Sequence, residues 1–133
     1  MPIFKNILCP IDESIDSKDT LGLAFEIAKL SKAKLIFLYA LRLDDIEMDS
    51  KNKGIGLREH MKENAAQKLQ KLKERFNLDA EIDYEFHSEI GFLASRVLLK
   101  FKDQPIDLII LSSELFEELN GRKKVLGCPV LLV

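Results

Sequence analysis

The sequence predicts an α/β protein: a doubly wound open sheet of five parallel strands with helices on both faces. Three observations predict it. The apolar runs at 7–9, 35–41 and 106–111 are nearly unbroken, the pattern of strands covered on both sides. The segments between them carry apolar residues at helical spacing. Strand and helix patterns alternate along 133 residues, which right-handed crossovers convert into one parallel sheet and a single domain, 1–133.

The opening strand is Ile7-Leu8-Cys9, with Ile3 and Phe4 leading in. Pro10, Ile11 and Asp12 close it, since Pro10 has no N–H for the ladder and so marks an end. A polar turn follows, in which Ser14, Asp16 or Ser17 caps the first helix. Ligands of open parallel sheets sit beyond the carboxyl ends of the strands, where strand order reverses. Asp12 is therefore the first candidate site residue; the plainer alternative is a carboxylate that only bonds turn amides.

Leu21, Ala24, Phe25 and Ala28 trace a helix of about four turns that ends near Ser31–Lys32. A second buried strand spans Leu35–Leu41. Residues 42–56, with Asp44, Asp45, Glu47, Asp49, Gly54 and Gly56, predict a solvated, mobile loop without calcium-loop ligand spacing. Leu57, Met61, Ala65, Leu69, Leu72 and Phe76 trace one face of a long helix. Its mixed charges make a solvated outer face, and His60 belongs to that surface.

Ala80–Phe86 alternates between apolar and acidic residues, so it predicts a half-exposed strand at a sheet edge. His87-Ser88-Glu89 then leaves the strand, with Ser88 capping a helix that resumes at Ile90. Adjacent residues do not form a triad easily, so no catalytic role is read into His87. Pro105 ends that helix, Ile106–Leu111 is the third buried strand, and Ser112-Ser113 turn into a short helix with Leu115, Phe116 and Leu119. The chain closes on Val130-Leu131-Leu132-Val133.

Composition excludes several classes. A hydrophobic content of 47% beside 32% charged residues describes a folded globular chain. A formal net charge of −2 gives no electrostatic case for nucleic acid, and no apolar run reaches membrane-spanning length. The first residues lack the pattern of a signal peptide, so the expected location is the cytoplasm. Cys9 and Cys128 have no metal-ligand spacing and read as inert core thiols.

Taken together, Ile7-Leu8-Cys9-Pro10-Ile11-Asp12-Glu13-Ser14, Ala33-Lys34-Leu35, Asp107–Leu111 and Cys128–Val133 resemble the universal stress protein family over nearly the whole chain. The resemblance implies strand order 3-2-1-4-5, a cytoplasmic role in the stress response, and dimers. ATP-binding members carry a glycine-rich loop after the fourth strand, whose amides wrap the phosphates. Here residues 114–127 hold only Gly121 and Gly127, and Glu114, Glu117 and Glu118 would repel phosphate. His87 stands where many members have Gly. Of the nucleotide-contacting positions, Pro10 and Asp12 remain, with Ala40 near the adenine edge, a vestigial adenosine pocket.

The expected function is thus a non-enzymatic dimeric module without a bound cofactor, which does not hold ATP tightly and acts through protein partners. The alternative is an ATP- or AMP-binding member with a degenerate phosphate loop. An enzyme using His87 or Cys9 ranks last, because no nucleophile–base pair stands at workable spacing. The dimer is expected through Val130, Leu131, Leu132 and Val133, an edge strand with no charge at any position.

Overall fold

A computed structural model describes residues 4–12, 18–41, 57–119 and 128–133. In chain order the elements are β1 (Asn6–Asp12), α1 (Lys18–Ser31), β2 (Lys34–Leu41), α2 (Leu57–Arg75), α3 (Leu78–Glu81) and β3 (Asp83–Ile90). They continue with α4 (Leu93–Asp103), β4 (Leu108–Leu111), α5 (Ser113–Glu118) and β5 (Val130–Leu132). The five strands form one sheet of order β3-β2-β1-β4-β5, with every neighbouring pair parallel. The expected fold and strand order are observed.

The two faces of the sheet hold separate cores. Ile7, Cys9, Ile11, Leu35, Phe37 and Tyr39 point to one side, against α1 (Leu21, Ala24, Phe25, Ala28), Leu72 of α2 and Leu78 of α3. Leu8, Ile36, Leu38, Ala40 and Ile109 point to the other, against Leu93 and Val97 of α4 and Leu115 of α5. This period of two across both faces explains why β1, β2 and β4 are apolar at nearly every position. Each large side chain so buried contributes about 1.5–3 kcal/mol relative to exposure.

Several boundaries differ from those the sequence suggests. Pro10 lies inside β1, which pairs with β2 from Asn6↔Lys34 through Asp12↔Ala40. The carbonyl of Lys5 accepts from the Lys34 N–H, whereas that of Asn6 accepts from the Asp107 N–H at the head of β4. Odd-numbered residues thus face β2 and even-numbered residues face β4. The nitrogen of Pro10 accordingly faces β4, whose register with β1 runs only from Ile7↔Leu108 to Leu8↔Ile109. With no N–H at Pro10, the β1–β4 ladder stops there although β4 itself runs on to Leu111.

The edge strand begins at Asp83, not Ala80. Ala80 and Glu81 belong to α3, which Leu78 anchors in the core, and Ala80 is exposed, so its place in the alternation was coincidental. The strand also runs on through His87, Ser88 and Glu89 to Ile90, because β2 offers a partner as far as Leu41↔Ile90. Ser88 is therefore no helix cap. Helix α4 starts at Leu93 behind Phe92, whose side chain makes no capping bond. Strand β4 starts at Leu108 rather than Ile106. Asp107 turns its Oδ2 onto the N–H groups of Lys5 (2.9 Å) and Asn6 (2.8 Å), tying the amino ends of β1 and β4 together. The capping choice among Ser14, Asp16 and Ser17, the acidic loop 42–56 and the glycines Gly121 and Gly127 lie outside the described residues.

Helix α1 ends on a left-handed residue. Lys32 has φ 56°, and the Ala33 N–H reaches back to the Ala28 carbonyl at 3.0 Å. A Cβ in this conformation crowds the following carbonyl, which is why glycine usually occupies it. Lys32→Gly is therefore expected to stabilise the fold by about 1 kcal/mol, seen as a higher urea midpoint at unchanged slope. A lowered midpoint would mean that the Lys32 side chain contributes more than the backbone strain removes.

Candidate functional site

The carboxyl end of the sheet is where the candidate residues meet. Asp12 ends β1 directly opposite Ala40 of β2, and Pro10 stands opposite Leu38. The structure thus brings the three together at the strand where order reverses, between β2 on one side and β4 on the other. Pro10 and Ala40 are buried, and Ala40 packs within the same core as Leu38 and Leu93. Cys9, one residue earlier, is fully buried, and that burial pushes its thiol up to about 12. It is inert. Cys128 is half-buried among the residues around Val130, with its thiol also raised, first by burial and then by Asp107.

Beyond β4, the Ser112 Oγ accepts from the Leu115 N–H at 3.3 Å, so α5 caps itself. Glu114 sits in its first turn, exposed, and Glu117 follows. A carboxylate in that turn interacts favourably with the positive end of the helix.

On the side of β2 away from β1, the turn after β3 is braced. Gly91 has φ +133°, which L side chains rarely adopt, and a Cβ there would come 3.2 Å from the Arg96 Nε. Arg96 donates from Nε to the Ile90 carbonyl (2.9 Å) and pairs through Nη1 with Glu89 (3.2 Å). Lys100, buried except for 6% of its surface, approaches the other oxygen of Glu89 at 4.0 Å. Farther back on the same face, Glu85 receives Lys34 Nζ on one oxygen (2.8 Å) and His87 Nε2 on the other (2.8 Å).

These side chains fill one polar face of an edge strand. Each carboxylate is committed to a cation, and no group of three metal-ligating side chains forms among the described residues. Extending the alternation past Phe86 would have found it, because Glu85, His87 and Glu89 share a face at spacing two.

The bond from Lys34, and then that from His87, holds the Glu85 carboxyl below its ordinary value of 4.5. A depressed folded-state value stabilises above the unfolded one, so this contribution is complete above about pH 4.5 and lost as pH falls through the folded value. Glu85→Gln should flatten the acid limb of stability against pH while leaving the neutral region close to its shape. An unchanged acid limb in urea unfolding would show that other carboxylates dominate.

Comparison with known proteins places this geometry. Residues 3–126 match the model of the Universal stress protein family. The universal stress protein UspA from Lactobacillus plantarum superposes with TM-score 0.68 at 21% identity, covering 97% of each chain. A universal stress protein in complex with cAMP gives TM-score 0.61 at 16% identity, covering 98% of this chain and 96% of that one. The universal stress protein from Archaeoglobus fulgidus in complex with dAMP gives 0.64 at 14%, covering 98% of both. No curated protein sequence matches. At such identities the superpositions establish the fold alone. Membership rests on the family match across 3–126, and with the strand order around β1 it is plain that this chain belongs to the universal stress protein family.

Proposed function

We propose that the chain is a dimeric, non-catalytic module of the cytoplasmic stress response that does not hold ATP tightly and acts through protein partners. One observation carries the reading: the helix start after β4 is occupied from within. A phosphate at that position must compete with the Ser112 hydroxyl for the Leu115 N–H and meet the exposed carboxylate of Glu114. Glu117 adds a second negative charge one turn later.

The dimer reading is supported by β5. The Pro129 carbonyl and the Val133 N–H bond inward to β4, so the peptide groups of Val130 and Leu132 are directed outward. Val130 and Leu131 pack on the two cores of their own chain, while Leu132 and Val133 remain 44% and 39% exposed. A two-fold axis beside this strand would pair those peptide groups with their own copies and cover both side chains.

A second reading is favoured by the relatives solved with cAMP and with dAMP, each an adenine nucleotide with one phosphate. A ligand of that class needs no triphosphate cradle, and Asp12 beside Ala40 is the place it would occupy.

Calorimetry separates the readings. ATP with magnesium is expected to give no binding in the low micromolar range; such binding, or ATP co-purifying with the protein, overturns the first. Under the second, AMP binds and Asp12→Ala abolishes it without loss of stability. If Asp12 serves only the turn, that change lowers stability by about 0.5–2 kcal/mol with or without nucleotide.

For assembly, light scattering after gel filtration is expected to give twice the chain mass, and Leu132→Lys the single mass. A folded Leu132→Lys protein that remains dimeric would place the interface elsewhere.

A further inference from the structure

We draw no further inference here: the strongest candidate, the exposed apolar flank of α1 that carries Leu23 and Leu30 on the side turned away from Phe76 and Glu81, is a surface patch for which nothing in the structure shows what covers it.

Discussion

Satisfying the peptide groups of β1 is the constraint on which the rest of this structure depends. A strand at the centre of a sheet has neighbours on both sides, and its alternate residues must find partners in each. β2 answers along all seven residues of β1, β4 at only two. At the amino end the shortfall is met by Asp107, whose carboxylate takes the N–H groups of Lys5 and Asn6. At the carboxyl end it is lessened by Pro10, which has no N–H to satisfy. The β1–β4 pairing is therefore tied by a side chain at its amino end and carries no ladder bond from Pro10 at the other, the end of the sheet at which doubly wound folds hold their ligands.

The same accounting explains which parts of the fold were legible in the sequence. The runs at β1, β2 and β4 were legible because burial on both faces leaves no polar position to confuse the period. Pro10 was misplaced because a sequence reveals a missing donor but not the neighbour that donor would have faced. The start of β3 was misplaced because Ala80, Ile82, Tyr84 and Phe86 alternate without a break. Only the burial of Leu78 and the exposure of Ala80 separate the helical turn from the strand. The end of β3 depends on the length of β2 beside it, a tertiary fact. At the site, Asp12 could be suspected from its position after an apolar run. Its pairing with Ala40, 28 positions along the chain, required the register. The brace of Arg96 on Gly91 left only a glycine as its trace, since its two halves belong to different elements.

The two edges of the sheet resolve one physical problem differently. β3 is eight residues long, and an edge of that length offers many unpaired peptide groups to another chain. It carries Glu85 and Glu89, each in an ion pair, along one face. Such pairs between half-exposed groups add little stability, since water screens them and two long side chains lose freedom. Their effect lies in exclusion, because a strand docking alongside would have to desolvate charges already matched to Lys34 and Arg96. β5 has no comparable charges. It has three residues, half-buried or exposed, and follows Pro129. Its brevity leaves, among the described residues, the outward peptide groups of Val130 and Leu132, and its side chains present no penalty to an apolar neighbour. An unrelated strand gains little from so short an edge, whereas a second copy brings an identical edge and identical exposed side chains related by symmetry. The contrast between the edges is the physical support for the dimer proposed above, a self-complementary pairing that closes after two chains.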